Sequence, residues 1–522
     1  GGSSETGRPP QIYGTMRAVS TRERRSAQFV DQCTDMLKDR RLILVSNRGP
    51  VEYHISPEGY PQARRGSGGV VTALSTLTNY VDFTWVASAM GEGDRRVSQQ
   101  AEEARIKSPM PGHSLYLRYV VTPRRVYHKF YNIFCNPLLW FLQHYMWSSP
   151  YTPNVDDSVY DAWETGYIPV NRAFANAVVD EAQHSVLPPY VMLHDYHLYL
   201  APGMVREALP EALIQHFLHI PWPDPSYWQM LPAFMRTAIC ESLCASDIVG
   251  FQTVRDVRSF LQSCEMFLDQ ATVDHTKRTV TLNGRETAVR SYPISIDVEE
   301  LRGIADSPRA LEYARKLRPL LGEKTIIRVD RVEPSKNIVR GFRAYRLLLE
   351  RNQDLIGKVK FLAFLVPSRT HIRQYQRYLQ EVDDLVSEIN QTFSTEDWQP
   401  ITVFYENNYI QAMAAMKLYD VLLVNSIIDG MNLVAKEGPV VNTRGGMVVL
   451  SETAGAYAQL HEGVLAVAPA DVEGTAQALY QAITASVEER EKRSNLLVQK
   501  IEEEDVINWM QCQMEGMKAL LG

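Results

Sequence analysis

The chain has 522 residues and a net charge of −7, with 45% hydrophobic and 22% charged residues. At about 150 residues per domain, this length predicts two or three domains with large cores, and the composition excludes disordered, collagenous and fibrous proteins. The acidic balance argues against nucleic acid or an anionic membrane as a partner bound through bulk charge, and no apolar run approaches the roughly 18 residues of a membrane-spanning helix.

The two ends of the chain and its cysteines carry little functional signal. Residues 1–10 are typical of an expression-tag remnant, and residues 17–40 predict a helical extension, so residues 1–40 stand outside the predicted domains. Six scattered cysteines without a CxxC pair indicate reduced thiols and a cytoplasmic location. Cys240 and Cys244 lie four residues apart, and we expect them to pack in the core rather than bind a metal.

Short apolar runs that end in polar residues recur along the chain, and amphipathic helical stretches separate most of them. Such runs are typical of buried parallel strands, and their alternation with helices predicts parallel sheets covered by helices. So many strands indicate two doubly wound α/β domains, at residues 41–295 and 296–500. Residues 487–521 predict a long helical stretch, whose end at 501–522 we expect to pack back on the first domain. The predicted strands lie at residues 41–48, 84–87, 190–193, 213–218, 247–251, 325–329, 359–366, 401–405, 420–425 and 447–450.

Ligands of open α/β sheets bind at the carboxyl ends of the strands, so the polar residues there are the candidate site. This set is rich in arginine, lysine and histidine although the whole chain is acidic, which favours a phosphorylated ligand. Any single arginine could equally form a surface ion pair. The residues are Arg48, His194, Asp195, Tyr196, His197, His219, Gln252, Arg331, Lys336, Arg369 and 429–432.

Two glycine-containing segments could bind phosphate groups. Residues 66–69 (GSGG) precede an apolar helical stretch, where backbone N–H groups could approach an anion. Residues 429–437 (DGMNLVAKE) follow a strand and predict a helix starting at Gly430, with Glu437 able to reach ribose hydroxyls; the alternative is a capped helix with Lys436 and Glu437 facing solvent. The dinucleotide pattern GxGxxG after the first strand and the Walker pattern are absent from the sequence, which argues against a dehydrogenase and a P-loop NTPase.

Four motifs together resemble the trehalose-6-phosphate synthase family. They are HDYHL at 194–198, FLHIPWP at 217–223, Arg331 with Lys336, and residues 429–437, and the resemblance runs from about residue 41 to the C-terminus. It implies the GT-B fold, in which two Rossmann-like domains face each other across a cleft. It also implies retaining transfer of glucose from a nucleoside-diphosphate glucose to glucose 6-phosphate, giving trehalose 6-phosphate, with no bound metal and no other cofactor.

The resemblance assigns roles residue by residue. His194, Arg331 and Lys336 match the catalytic set, with His194 on the donor sugar and the two cations on the donor diphosphate. The remaining donor-side residues are Gly68, Gly69, Asp429, Gly430, Met431, Asn432, Leu433 and Glu437, and the acceptor-side residues are Arg48, Tyr131, Trp140 and Arg369. From spacing alone, Tyr131 and Trp140 could equally be core aromatics.

Some positions depart from the family pattern and keep alternatives open. The usual Asp-Tyr-x-Lys-Gly is replaced by residues 333–337 (EPSKN), and Ser88 stands where an acceptor-side Trp is usual. Trp222 and residues 451–455 also differ, and these features resemble validoxylamine 7′-phosphate synthase, a pseudo-glycosyltransferase that joins a nucleotide-activated valienol to an aminocyclitol phosphate. A transferase with another phosphorylated acceptor and a catalytically silent sugar-phosphate binder are further alternatives. UDP or GDP as the nucleotide and the oligomeric state, a homo-oligomer included, stay open.

Overall fold

The computed structural model describes residues 21–66, 69–112, 114–146 and 153–521. These residues form two large sheets and one hairpin. Among them no helix has both the length and the apolar content that crossing a membrane requires.

The first large sheet has ten strands in the order β10-β11-β12-β9-β8-β7-β1-β4-β6-β5. The run from β12 to β6 is parallel, whereas β5, β10 and β11 pair antiparallel with their neighbours. β1 lies in the middle, and its apolar residues are buried on both faces, as in other parallel sheets. The strands are β1 Arg40–Val45, β4 Phe83–Ser88, β5 Arg105–Lys107, β6 Leu115–Val120, β7 Leu187–His194, β8 Leu213–Phe217, β9 Ile248–Phe251, β10 Thr272–Asp274, β11 Thr279–Leu282 and β12 Arg285–Ser291; β2 Val51–Ile55 and β3 Pro61–Arg65 form the hairpin.

Helices accompany this first sheet. A π-helical segment, Phe130–Leu139, leads directly into the short helix Trp140–Gln143 and delivers Trp140 to the cleft. A second π-helical segment is Trp163–Tyr167. The α-helices are Thr21–Met36, Gly69–Ser75, Glu92–Gln100, Arg124–Lys129, Trp140–Gln143, Asp157–Ala162, Ile168–Ala182, Ala201–Ala208, Pro225–Trp228, Ala233–Leu243 and Val254–Phe267.

The second large sheet has six parallel strands in the order β15-β14-β13-β16-β17-β18. Its strands are β13 Lys324–Val332, β14 Val359–Pro367, β15 Ile401–Tyr405, β16 Val421–Val424, β17 Met447–Ser451 and β18 Leu465–Val467. Its helices are Val298–Ala305, Pro308–Leu317, Ile338–Arg351, Arg373–Phe393, Tyr409–Met416, Val434–Val441, Tyr457–Leu460, Val472–Thr484 and Val487–Glu503. The predicted α/β class with two parallel-sheet domains is confirmed.

The C-terminal stretch that was predicted to be helical consists of two helices. The helix Val487–Glu503 ends, and Asp505 caps a new helix, Val506–Leu520, by accepting a hydrogen bond from the Asn508 N–H at 3.0 Å. This final helix lies on the first sheet, where Gln513 Oε1 accepts a hydrogen bond from Gln215 Nε2 at 2.7 Å. An Asp at the break explains it, because its side chain satisfies the free N–H groups of a new helix start.

Candidate active site

The loop after β16 touches the carboxyl end of β8, and this contact brings the two domains together. A Cβ placed on Gly430 would lie 1.8 Å from the His219 carbonyl oxygen, and a Cβ on Gly455 would lie 1.7 Å from the Gly430 oxygen. Three backbone segments are therefore packed closely at this point. Only glycine fits at these two positions, because any side chain would require the backbone to move.

Two predicted arginines meet one predicted tryptophan across the cleft. Arg331 at the end of β13 and Arg369 just beyond β14 place their guanidinium carbons 5.2 Å and 4.6 Å from the centre of the Trp140 ring. These are cation–π contacts between the C-terminal and N-terminal domains. The structure thus brings onto the same aromatic surface two arginines for which the resemblance implies donor-side and acceptor-side roles.

Glu333 connects these two arginines, and its departure from the family motif is the only signal of this role in the sequence. Its fully buried carboxylate lies 3.2 Å from Arg369 Nη1 and 3.8 Å from Arg331 Nη2, and it accepts a hydrogen bond from Ser335 Oγ at 2.7 Å. Burial alone would raise the pKa of Glu333, but the charges of Arg331, Arg369 and Lys336 outweigh it and lower the pKa to about 2. The carboxylate is therefore ionised.

Lys336 and Asp429 form a buried ion pair between the loops after β13 and β16, which are neighbouring strands. Lys336 Nζ lies 2.6 Å from Asp429 Oδ1, and Asp429 Oδ2 accepts a hydrogen bond from Asn432 Nδ2 at 2.8 Å. Burial opposes both charges, but the attraction of each for the other prevails, so the pKa of Lys336 is raised and that of Asp429 is lowered. Both groups are charged at neutral pH.

The segment after Asp429 corrects two predictions. The helix begins at Val434 rather than at Gly430, because Asn432 adopts a left-handed φ of 82° and its Oδ1 accepts a hydrogen bond from the Ala435 N–H at 3.2 Å. Lys436 and Glu437 are both buried, so the alternative of a solvent-facing pair is wrong. Met431 is buried and Leu433 is half-buried, between Asp429 and the helix.

Lys436 and Glu437, the buried pair at the start of this helix, each form a side-chain hydrogen bond with another segment of the chain. Lys436 Nζ donates to the Ile294 carbonyl at 2.7 Å, and burial lowers its pKa to about 7 although Glu504 opposes this. Glu437 Oε2 accepts a hydrogen bond from the Tyr409 hydroxyl at 3.1 Å; burial raises the pKa of Glu437 to about 7, and the Tyr409 bond opposes the rise.

A pair of buried histidines lines the N-terminal side of the cleft. His194 Nδ1 and His219 Nε2 lie 3.0 Å apart, so one ring donates and the other accepts. Burial, reinforced by the neighbouring histidines, lowers the pKa of His194 well below its usual range and that of His219 to about 3. Both imidazoles are neutral hydrogen-bonding groups. His219 was expected only as a polar strand end, and its pairing with His194 depends on the alignment of β7 with β8.

Of the four residues expected on the acceptor side, Arg369 and Trp140 are in direct contact. Tyr131 stacks on His197 with ring centres 6.1 Å apart and nearly parallel planes. Arg48 is partly exposed and lies 3.5 Å from Glu52.

Gly69 begins the helix Gly69–Ser75, and the predicted donor residue Gly68 lies outside the described residues. Ser88 is buried at the end of β4, where its N–H donates to the Asn47 carbonyl.

Several buried polar atoms of this site have no hydrogen-bond partner in the part of the chain that the structure describes. Buried polar groups are nearly always paired in folded proteins, so such atoms facing a cleft indicate a ligand site. The described residues contain no group of three or more His, Cys, Asp and Glu side chains arranged to hold a metal ion. The unpaired atoms are Trp140 Nε1, Arg369 Nε, His194 Nε2, His197 Nδ1 and His219 Nδ1.

Comparison with known proteins agrees with the resemblance found in the sequence. Residues 40–519 match Glycosyltransferase family 20. A bifunctional trehalose-6-phosphate synthase/phosphatase of Thermoproteus tenax is 33% identical over 484 residues, covering 90% of this chain but only 62% of that protein's length. A validamine 7-phosphate valienyltransferase of Streptomyces hygroscopicus subsp. jinggangensis is 28% identical over 479 residues, covering 92% of this chain and 94% of that protein.

A solved structure extends the similarity to three dimensions. The alpha,alpha-trehalose-phosphate synthase (UDP-forming) of Burkholderia xenovorans, crystallised in complex with glucose-6-phosphate, superimposes with a TM-score of 0.78 at 28% identity. The match covers 92% of this chain and 100% of that one.

Proposed function

The chain belongs to glycosyltransferase family 20, and we propose that it transfers glucose from UDP-glucose or GDP-glucose to glucose 6-phosphate, forming trehalose 6-phosphate with retention of configuration. Its two facing Rossmann-like domains have the GT-B fold, and it is a hexosyltransferase of the trehalose-6-phosphate synthase type. The identities of donor and acceptor are the proposal.

The observation that carries the proposal is the cationic cluster of Arg331, Lys336 and Arg369, in which Lys336 and Arg369 are largely buried and Arg331 is exposed. Glu333 and Asp429 supply two negative charges against the three positive charges of the cluster, and Arg369 Nε has no partner among the described side chains and backbone. Arginine suits two-pronged contacts with phosphate, and lysine adds a compact charge. A site of this kind matches two phosphorylated substrates better than neutral ones.

Each part of the cleft has a task in the proposed reaction. Arg331 and Lys336 hold the donor diphosphate, and residues 430–433, which follow the Lys336 partner Asp429, line the donor sugar and phosphates. Cleavage of the sugar–phosphate bond develops negative charge on the leaving nucleotide, and these groups stabilise that charge. The neutral rings of His194 and His219 offer hydrogen bonds to the donor sugar, and Glu437 to the ribose.

On the acceptor side, Arg369 holds the phosphate of glucose 6-phosphate against Trp140 and Tyr131. In the proposed reaction the acceptor hydroxyl attacks on the same side of the sugar as the departing diphosphate. We propose that the leaving phosphate accepts the proton of the attacking hydroxyl, so no side chain is assigned as the general base.

The second candidate is a pseudo-glycosyltransferase that joins a nucleotide-activated valienol to an aminocyclitol phosphate. Two observations favour it: the valienyltransferase match covers 94% of that relative, and Glu333, Asn337 and Ser88 depart from the synthase pattern. Both candidate reactions use the same residues to bind the donor diphosphate, so they differ in the residues that contact the acceptor.

The deciding experiment measures nucleotide release from UDP-glucose and GDP-glucose with glucose 6-phosphate and with other phosphorylated acceptors. Release that depends on glucose 6-phosphate supports the proposal and identifies the nucleotide. Turnover only with a nucleotide-activated valienol and validamine 7-phosphate would replace it with the second candidate. Nucleotide binding without turnover on any pair would indicate a silent binder.

A further inference from the structure

Glu333 contacts two arginines that come from neighbouring strand ends of the cleft. It lies between Arg331, at the end of β13, and Arg369, which follows β14, and these two strands are paired along their whole length. Arg369 has a left-handed φ of 47° just beyond the end of β14. The two guanidinium groups therefore approach the carboxylate from adjacent strand ends.

The charges in this arrangement require a buried anion. Arg331 and Arg369 carry like charges and lie over one ring of Trp140. Glu333 is completely buried and Arg369 nearly so, whereas 44% of the Arg331 side chain is exposed, so water screens the repulsion only in part. Ser335 Oγ donates to Glu333 Oε1, the oxygen that Arg331 approaches, while Arg369 contacts Oε2, and these contacts fix the direction of the carboxylate.

We propose that Glu333 is a positioning residue that holds both Arg331 and Arg369 on Trp140. One carboxylate thereby fixes the positions of the donor-side and the acceptor-side phosphate-binding arginine. The assignment of one arginine to each substrate rests on the proposed function. The positioning itself follows from the contacts of Glu333. Loss of its charge therefore affects both substrates, whereas loss of either arginine chiefly affects one.

The chain offers a closely matched control at a distance from the cleft. Glu181 is also buried and also lies between two arginines, with Arg105 Nε at 2.8 Å and Arg118 Nη1 at 3.6 Å. Glu181→Gln removes the same kind of charge from the same kind of pair on the edge of the first sheet. It reports what the loss of a buried carboxylate does to folding alone.

The test compares Glu333→Gln, Glu333→Asp and Glu181→Gln by steady-state kinetics. We expect Glu333→Gln to raise the KM of both donor and acceptor at least about fivefold and to lower kcat about tenfold or more. Glu333→Asp keeps the charge with a shorter reach and should recover part of both losses. Glu181→Gln should lower thermal stability with unchanged KM values. Unchanged KM values in Glu333→Gln, or a change for one substrate only, would overturn the inference.

A crystal structure of Glu333→Gln provides a readout that does not depend on turnover. We expect at least one guanidinium group to leave the Trp140 ring; both arginines remaining in place would overturn the inference. If Glu333→Gln does not fold, Glu333→Asp takes its place in both measurements, with smaller shifts in the same direction expected. A wild-type enzyme inactive with glucose 6-phosphate would refute the proposed acceptor, and the crystal structure would still decide the role of Glu333.

Discussion

Lys336 Nζ lies 2.6 Å from Asp429 Oδ1, and this ion pair joins the loops that follow β13 and β16. The lysine is thus held in place before any substrate arrives. Preorganised charges of this kind stabilise a transition state without the cost of reorientation during the reaction. The pair also keeps Asp429 compensated in a buried position.

Lys336→Ala should therefore reduce catalysis strongly. We expect a loss of about 2–4 kcal/mol in transition-state stabilisation, which is about a 30- to 1000-fold decrease in kcat/KM for the donor. Lys360→Ala is the control, because Lys360 is a nearly buried lysine of β14 that donates to the Gln399 carbonyl at 2.7 Å. Equal losses in the two variants would assign the effect to folding. Unchanged turnover in Lys336→Ala would show that this lysine does not bind the donor diphosphate.

Arg331→Ala and Arg369→Ala should separate the two substrates. Arg369→Ala should raise the KM of the acceptor far more than that of the donor, whereas Arg331→Ala should cost about 2–4 kcal/mol in transition-state stabilisation with the donor. Each KM is measured with the other substrate at saturation. If Arg369→Ala raises both KM values equally, this arginine does not belong to the acceptor phosphate site.

Most of the sheet framework was predictable, because buried parallel strands appear in the sequence as continuous apolar runs. All ten predicted strands are present. The first sheet's β12 was missed because it is polar at both ends and buried only in its middle. The hairpin of β2 and β3 and the strands β5, β6, β10, β11 and β18 were missed for a related reason, since exposed or half-buried residues interrupt their apolar pattern.

The candidate site was predictable as a list of strand ends, but its internal contacts were not. Glu333 pairs with Arg369 across 36 positions of sequence, and only the register of β13 against β14 makes this contact. Asn337, a departure from the usual glycine, keeps the loop conformation because asparagine tolerates its left-handed φ of 59°. Its Nδ2 also donates to the carbonyls of Asn425 and Pro469, each at 2.8 Å.

Lys436 should make the stability of the fold depend on pH. Its pKa is about 7 in the folded protein and near 10.5 when exposed, so unfolding takes up a proton between these values. The free energy of unfolding should therefore rise with pH from about 7 to about 10 through this group. Lys436→Met removes the titration, and urea unfolding of both proteins across this range measures the difference. Parallel pH dependences would show that the amine is not desolvated as described.

Tyr409 should affect the donor affinity through Glu437. The Tyr409 hydroxyl donates a hydrogen bond to the Glu437 carboxylate at 3.1 Å. The ionised carboxylate can accept hydrogen bonds from both ribose hydroxyls. For this reason kcat/KM for the donor should rise with pH through about 7. Tyr409→Phe removes a bond that lowers the pKa of Glu437. The inflection should then move to higher pH, and the donor KM at pH 7 should rise about three- to tenfold.

The measurement uses saturating acceptor, because the phosphate of a sugar phosphate titrates in the same range and would otherwise obscure the profile. Tyr405→Phe is the matched control, since the Tyr405 hydroxyl donates to Asp383 Oδ1 at 3.1 Å in the same domain without touching Glu437. It should leave both the inflection and the donor KM unchanged. An unshifted profile in Tyr409→Phe would mean that the ionisation of Glu437 does not govern donor binding, and the ribose contact would have to come from another residue.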